Sequence, residues 1–330
     1  METLNFRPEP FGGFSASRGH GCGCSACQKT CPQCGGIVRD EYELEVPTMF
    51  GTQLVDGVIN PPTPKSYGKK SGGHDKFTTK RCTGGQPIAC PDVTGIEHVM
   101  SIDGVTFDYI AGDGMMAFDR AAKKWVVKKR STKGLLLLPR ASACVSTFLS
   151  NMRAINMPVE AVLSMGSLNC RCVSKTNQLS NHSYGDAFDV GGIRFVGGRE
   201  ILQANSECDA ADRQLLHRIN ACLRLSFARV FDYHDRVRHK NHFHCDTNLN
   251  KGRNFGPGWG YVRESLGFAP KGGFTKEVAN ALRAFSGNPN AAKDEITLSR
   301  TLGDLFKREA SQAAQPRPPR YECNTGVWVK

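Results

Sequence analysis

The chain has 330 residues, with 43 Lys and Arg against 31 Asp and Glu, so its net charge at neutral pH is +12. Hydrophobic residues make up 39% of the chain and charged residues 22%, which is typical of a globular protein and excludes a wholly disordered one. The longest aliphatic run, Leu135 to Leu138, is far shorter than the roughly 18 apolar residues of a spanning helix, so we expect no membrane span. The basic surplus fits a polyanionic partner such as nucleic acid, anionic lipid or an acidic polymer of the bacterial envelope.

The cysteine content and the start of the chain point in different directions. Fourteen cysteines are many for a reducing cytosol and favour an oxidising destination. The first twenty residues contain no basic segment followed by an apolar one, so no secretory signal is readable there. We therefore expect export without an N-terminal signal, release by lysis or delivery, or cysteines that remain reduced.

The first 47 residues are rich in Gly and Cys and are interpreted as a leader. Their segment HGCGCSACQKTCPQC contains two CxxC pairs. Four thiolates can hold a structural zinc, but only three residues separate the two pairs, whereas zinc ribbons have a longer loop between them. Disulfides or unused thiols are at least as compatible with this spacing. The four candidate ligands are Cys24, Cys27, Cys31 and Cys34.

Residues 48–133 are interpreted as a small β-rich region with a basic linker. Residues 60–73 are rich in Pro, Gly and Lys and are typical of a linker. From about residue 96 to residue 130, short alternating segments with Asp-Gly turns predict strands. The stretch from Arg120 to Lys133 contains seven basic residues and no acidic one, which we interpret as a solvated face rather than a polyanion site.

The remaining elements alternate between helices and strands. Helical periodicity predicts helices from Arg140 to Met157 and from Asp209 to Leu225, and another from Thr275 to Phe285. The predicted strands are Val159 to Leu168, Asp186 to Ile193, Phe227 to Asp232 and His242 to Thr247. This order indicates an α+β fold: a small mixed or antiparallel sheet with flanking helices that carries a zinc site, with a helical extension after it. The predicted domains are 1–47, 48–133, 134–250 and 251–330, the last ending in a Pro-rich tail.

The strongest chemical signal is a pair of His-containing segments about fifty residues apart. The first, LSNHSYGDAFDV, contains His182 and Asp189, and the second, RHKNHFHCD, contains three histidines. On a strand, His242, His244 and Asp246 share one face. Two imidazoles and one carboxylate suit a catalytic zinc, which keeps three protein ligands and one open position. Spacing alone does not decide which of the two strand histidines is the ligand.

These motifs resemble the bacterial extensin-like C-terminal family. The resemblance covers residues 138–246, where LNCRC, LSNHSYGDAFDVGGI, GGRE and HKNHFHCD follow in the expected order. That family is related to zinc D-Ala-D-Ala carboxypeptidases and penicillin-insensitive murein endopeptidases. The resemblance implies three zinc ligands and three catalytic side chains. The implied ligands are His182, Asp189 and His244; the implied catalytic residues are His242 for proton transfer, His239 for the transition state or substrate, and Arg171 for a substrate carboxylate or the scissile carbonyl.

One departure from the carboxypeptidase pattern favours the endopeptidase arrangement. Those enzymes place a Glu shortly before the last ligand, where this chain has Asn241 and His242. A histidine can replace that base because its ordinary pKa of about 6.5 lies close to neutral pH.

Other His and Cys residues receive structural interpretations. His217 and His234 are predicted to be surface or cap residues, because the motif offers them no partner. One or two disulfides are predicted to brace the site. The cysteines available for them are Cys144, Cys170, Cys172, Cys208, Cys222 and Cys245.

The sequence thus predicts a zinc-dependent hydrolase of peptidoglycan cross-links or stem peptides that acts in the periplasm or cell envelope and binds no specific nucleic acid. One alternative is a non-catalytic zinc or wall-binding module. Another is a metal-dependent nuclease, which the positive charge favours, although the SNHSYGDAFD segment has no role in a nuclease site. The segment after residue 251 faintly resembles the end of a peptidoglycan-binding repeat, but an amphipathic helical cap is the favoured interpretation.

Overall fold

The part of the chain described by the computed structural model is residues 91, 93–173, 178–206, 208–234, 239–247 and 258–312, with the backbone of two short strands before them. The Cys-rich leader with its candidate zinc ligands, the basic linker and the Pro-rich tail lie outside the described residues. In chain order the strands are β1 (Glu45–Thr48), β2 (Gly51–Leu54), β3 (Glu97–Val99), β4 (Ser101–Ile102), β5 (Val105–Tyr109), β6 (Met116–Asp119), β7 (Lys124–Val127), β8 (Leu135–Leu137), β9 (Val159–Gly166), β10 (Ala187–Phe195), β11 (Glu200–Leu202), β12 (Arg229–Phe231) and β13 (Phe243–Asp246). The helices are α1 (Pro139–Ala154), α2 (Ala210–Ser226), α3 (Trp259–Ser265), α4 (Lys276–Ser286) and α5 (Glu295–Ser311).

A mixed sheet organises the described chain and confirms the α+β prediction. Its strand order is β12, β13, β10, β9, β5 and β4, and β11 also pairs with β10. Strands β5 and β9 are parallel, whereas the other neighbours are antiparallel. Because β4 and β5 belong to this sheet, it extends across the domain boundary predicted at residue 134, and residues 45–330 form one compact unit.

Helices α1 and α2 contribute to the hydrophobic core on one face of the sheet. In α1, Val145, Phe148, Leu149 and Met152 are fully buried, as the helical spacing of these residues predicts. Pro139 begins this helix, where its missing N–H removes no helical hydrogen bond. Helix α2 begins where the Asp209 carboxylate accepts hydrogen bonds from two backbone amides.

The two faces of the sheet are distinguished by alternation along β10 and β13. Phe188, Val190, Phe243 and Cys245 lie in the same core cluster as the residues of α1 and α2. Alternate residues of a strand point to opposite faces. Asp189 and its neighbours in alternation therefore face away from the two helices, and the candidate site lies on that second face.

The hairpin of β6 and β7 contributes to a second, smaller core cluster. Trp125 of β7 is buried with Ile110, Leu163 and Leu202. The side-chain amide of Asn205 fixes this hairpin, since its Oδ1 accepts from the Trp125 N–H at 2.7 Å and its Nδ2 donates to the Trp125 carbonyl at 3.0 Å.

The C-terminal helices pack against the same core as α1 and α2. Tyr261 of α3 and both Leu305 and Phe306 of α5 are buried in that cluster. The predicted helix at 275–285 is present as α4, which ends at Gly287 in the left-handed conformation. Helix α5 is an addition to the sequence-based prediction. It begins at a capping box formed by Asp294 and Thr297.

Two histidines occupy positions that the sequence analysis predicted wrongly. His217 is buried, and its Nε2 lies 2.7 Å from a carboxylate oxygen of Glu309. The His234 side chain is also almost wholly buried, and its Nε2 lies 2.6 Å from Glu264. They are therefore not surface or cap residues. Their partners come from α5 and α3, far along the chain, so no local motif could reveal them.

The cysteines of the site region fall into two groups. Cys144, Cys222 and Cys245 are buried free thiols, and burial raises the pKa of Cys144 and of Cys222 to about 12. These thiols behave as small apolar core residues. Cys170, Cys172 and Cys208 are disulfide-bonded.

Within the described residues, none of the helices combines the length and apolar character that crossing a membrane requires.

Candidate metal centre

Three side chains from the two His-containing segments converge on the second face of the sheet. His182 Nε2 lies 3.1 Å from Asp189 Oδ1 and 3.0 Å from His244 Nδ1. The third side of this triangle, from His244 Nδ1 to Asp189 Oδ1, is 3.0 Å. All three residues are buried. The predicted convergence of these three side chains is therefore present in the structure.

The sheet register brings two of these residues together. Asp189 on β10 and His244 on β13 are directly paired across the antiparallel ladder. Directly paired residues of antiparallel strands have Cβ atoms about 4.5–5.5 Å apart and on the same face. The carboxylate and the imidazole are thus held together by backbone pairing, and not only by their own hydrogen bonds.

His182 reaches the same point through a short turn. It lies in the 3-10 turn Asn181–Tyr184, which is capped at its start by the Ser180 hydroxyl. Gly185 follows with φ of +70°, a conformation that favours glycine because a Cβ is strained there. The chain then turns into β10, so that the imidazole of His182 lies over the carboxylate seven residues later.

Both histidines are oriented by the nitrogen that faces away from the centre. His182 Nδ1 lies 2.5 Å from the carbonyl oxygen of Ser167, and His244 Nε2 lies 3.0 Å from Asp246 Oδ2. A carbonyl and a carboxylate accept hydrogen bonds, so each of these ring nitrogens donates. The opposite nitrogens, His182 Nε2 and His244 Nδ1, are thereby turned inward as lone-pair donors. Histidine ligands of metals are generally held in this way.

Two arginines balance the buried carboxylates. Asp246 Oδ2 accepts from Arg229 Nη2 at 2.6 Å and from Arg229 Nε at 3.0 Å. On the other side, Arg171 Nη2 lies 3.7 Å from Asp189 Oδ2. Asp246 is therefore shared between His244 and Arg229, whereas Asp189 contacts both histidines of the centre and lies beside Arg171.

The pKa values of the three central groups reflect this arrangement. Burial lowers the pKa of His182, although Asp189 opposes the change. Burial also acts to lower the pKa of His244, but hydrogen bonds to Asp189 and Asp246 raise it to about 9. Asp189 has a pKa well below its usual range because the neighbouring histidines outweigh its burial. The centre thus holds an ionised carboxylate that favours a cation, whether a proton or a metal ion.

The chemistry of the donors fits a metal ion. Two imidazole nitrogens and one carboxylate oxygen are ligands of many catalytic zinc sites, which keep a fourth position open. In a tetrahedral site with bonds of about 2.0–2.1 Å, neighbouring ligand atoms lie about 3.3 Å apart. The observed separations of 3.0 and 3.1 Å are close to this value. Among the described residues, His182, Asp189 and His244 form the group of side chains that could hold a metal ion.

His242 lies beside the centre and outside the triangle. Its Nε2 lies 3.7 Å from Asp189 Oδ1, and its Nδ1 lies 2.8 Å from the side-chain oxygen of Asn241. Because Nδ1 donates to this amide oxygen, Nε2 carries the lone pair. Burial lowers the pKa of His242 to about 4, against the attraction of Asp189. The ring is therefore neutral at pH 7 and able to accept a proton at Nε2.

His239 completes the cluster of aromatic rings at the centre. Its ring centroid lies 5.2 Å from that of His242 and 5.7 Å from that of His244. Phe231 of β12 packs against both His239, at 4.8 Å, and His244, at 5.6 Å. The phenyl ring therefore supports two of the histidines that the sequence singled out.

Arg171 lies on the same side of the molecule as the centre. The side chain is 47% exposed, while its backbone N–H donates to the Ser183 hydroxyl at 3.0 Å. This contact connects it to the turn that carries His182. The guanidinium thus combines proximity to the centre with access to solvent.

Sequence reasoning missed the groups that orient the ligands. The backbone carbonyl of Ser167 and the guanidinium of Arg229 have no motif of their own. Asp246 was recognised as sharing a face with His244, but its role in holding the far nitrogen depends on the imidazole orientation. Alternation along the strand places Asp246 on the same face as His244, but it does not show the hydrogen bond between Asp246 and the His244 ring.

Comparison with known proteins gives one match. Residues 144–255 match the sequence model of the family described as "Extensin-like protein C-terminus". The match confirms the resemblance drawn from the motifs, and the chain therefore contains an extensin-like C-terminal region that includes every residue of the centre. No curated protein and no solved structure matches the chain.

We expect Asp246→Asn to weaken metal binding about 10- to 100-fold, because the His244 ring loses the carboxylate that orients it. Asp108→Asn is the matched control: Asp108 is also a buried carboxylate of this sheet, but its partner is Arg194 at 2.6 Å. Competition with a chromophoric chelator measures both affinities. Equal affinities for the two variants would show that Asp246 does not orient the ligand.

Proposed function

We propose that this protein is a zinc-dependent hydrolase of peptidoglycan stem peptides or cross-links, of the DD-endopeptidase or carboxypeptidase type. The observation that carries the proposal is the convergence of His182, Asp189 and His244, with the far nitrogen of each imidazole held by an acceptor. The family match covers this centre, and the resemblance stated above implies the same chemistry.

The ligand set favours zinc over harder cations. Calcium and magnesium take oxygen ligands, whereas two imidazoles select a borderline metal. A zinc ion held by the three side chains would polarise a substrate carbonyl and lower the pKa of bound water to about 7.

In this proposal His242 handles the proton. Its Nε2 faces the centre while Asn241 fixes the opposite nitrogen, so the ring need not reorient before it accepts a proton. The proton that Nε2 receives can pass to the leaving amine. A positioned acid–base group contributes typically 10²- to 10⁴-fold to rate.

Arg171 and His239 bind the substrate in this proposal. Arg171 has a planar guanidinium that can bind a carboxylate with two hydrogen bonds, and stem peptides carry carboxylates. His239 lies at the other edge of the ring cluster, where it can donate to the carbonyl oxygen as negative charge develops. The corresponding site of action is the periplasm or cell envelope.

Incubation of the purified full chain with peptidoglycan sacculi tests the proposal. We expect new amino groups from hydrolysed peptide bonds, loss of activity with a chelator, and recovery when Zn²⁺ is restored. A parallel incubation with plasmid DNA serves as the comparison. Cleavage of DNA without hydrolysis of peptide bonds would replace the proposal with a nuclease, and zinc binding without either activity would indicate a binding module.

His242→Ala and His244→Ala separate proton transfer from metal binding. We expect His242→Ala to retain nearly one zinc per chain and to lose about 10²- to 10⁴-fold in kcat. His244→Ala should lose the metal. Metal analysis of both purified variants decides between these roles, and a zinc-free His242→Ala protein would make His242 a ligand.

Arg171→Lys tests substrate recognition. Lysine keeps the charge but cannot form the planar two-point contact, so we expect about a tenfold loss or more in kcat/KM with unchanged zinc content. Arg194→Lys, which changes a guanidinium paired with Asp108 on the same sheet, is the control. Full activity of Arg171→Lys would contradict a role in recognition.

A further inference from the structure

The connection between β12 and β13 begins in a buried ion network. The carboxylate of Asp232 is fully buried. Its Oδ2 accepts from Arg224 Nη2 at 2.8 Å and from Asn220 Nδ2 at 2.5 Å, both on α2. Its Oδ1 accepts from the backbone N–H of His234 at 2.8 Å. A buried carboxylate is costly unless it is paired and hydrogen-bonded in this way, so these contacts fix the chain where β12 ends.

The imidazole of His234 joins this turn to helix α3. Its Nδ1 lies 2.8 Å from Asp232 Oδ1, and its Nε2 lies 2.6 Å from Glu264 Oε2. Glu264 Oε1 in turn accepts from Arg213 Nη2 of α2 at 3.3 Å. Both ring nitrogens therefore donate to carboxylates, one from the turn and one from α3.

This anchored turn is adjacent in sequence to the residue that supports the histidines. Phe231 immediately precedes Asp232, and its ring contacts His239 and His244. A displacement of the turn moves Phe231, and interiors are packed too closely for its neighbours to remain in place. Catalytic groups tolerate displacements of only a fraction of an ångström.

We propose that Glu264 and His234 are positioning residues for the catalytic histidines, so that helix α3, which lies outside the family-matched segment, belongs to the catalytic unit. This inference rests on the proposed function only where catalysis is measured. Glu264 acts on His239 through the anchored turn and Phe231, and on His242 through the ring contact between His239 and His242, without contact with substrate.

The molecule provides a matched control for this inference. Glu309 of α5 is also a buried glutamate paired with a histidine, His217, at 2.7 Å. This second pair joins α5 to α2, and His217 also stacks on Tyr261 and lies 3.4 Å from the Ser265 hydroxyl, both on α3. Substitution of either glutamate removes a buried charge that supports a histidine, and the histidine that Glu264 supports, His234, belongs to the turn.

The experiment compares Glu264→Leu, Glu264→Gln and Glu309→Leu in the full chain. Zinc content, urea unfolding, kcat and KM are measured, together with histidine-ring NMR spectra of the metal-free protein. We expect Glu264→Leu to shift the ring signals of His239 and His242 and to lower kcat at least tenfold, with zinc content unchanged. Glu264→Gln, whose amide oxygen still accepts from His234, should remain within about threefold of wild type. Glu309→Leu should lose stability but keep the ring signals and kcat.

Unchanged ring signals in Glu264→Leu, or an equal loss of kcat in Glu309→Leu, would overturn the inference and leave the network a purely structural role. If Glu264→Leu does not fold, the same measurements are made on His234→Gln and Glu309→Gln. We then expect His234→Gln to shift the ring signals and lower kcat, and Glu309→Gln to leave both unchanged. If the wild-type chain cleaves no peptidoglycan, the proposed function fails, and the ring spectra still decide whether Glu264 positions the histidines.

Discussion

The pairing of Asp189 with His244 across β10 and β13 is the constraint on which the site depends. It sets a carboxylate and an imidazole side by side in the interior of a sheet, where backbone hydrogen bonds fix their separation. A slip of β13 by one residue against β10 would send His244 into the apolar core and bring Phe243 out of it. The apolar residues on the opposite face therefore enforce the register that the site needs.

Several carboxylates are buried near this pair, and positively charged arginines offset the cost of burying them. Asp246 is held by Arg229, and the carboxylate of Asp189 lies beside Arg171. The result is a centre whose ionised carboxylates attract a cation while the arginines limit the excess of negative charge. The side chain of Arg229, on β12, is 14% exposed, whereas the side chain of Arg171 is 47% exposed. This difference assigns Arg229 to support and leaves Arg171 able to meet a substrate.

The sequence predicts the central elements because they depend on local patterns, whereas the three converging side chains are implied by the family resemblance. Helix α1 follows from apolar residues at helical spacing, and the placement of His244 and Asp246 on one face follows from strand alternation. The choice of His244 over His242 as a ligand came from the family resemblance, and the structure places His244 in the triangle. The contacts of His217 and His234 could not be predicted, because Glu309 and Glu264 approach from helices whose docking depends on tertiary packing. Spacing also cannot show which ring nitrogen faces inward.

The segment that matches the family and the physical unit that supports the site therefore differ in extent. The match ends at residue 255, yet Tyr261, Val262 and Phe306 belong to the same apolar core as the residues under β10 and β13. A buried His–Glu pair is stable only when both members are present, because loss of one leaves an uncompensated charge in a low-dielectric interior. His217 and His234, inside the matched segment, are each paired with a glutamate from outside it. It follows that α3 and α5, which supply these carboxylates, contribute to the charge balance of the domain that carries the candidate metal centre.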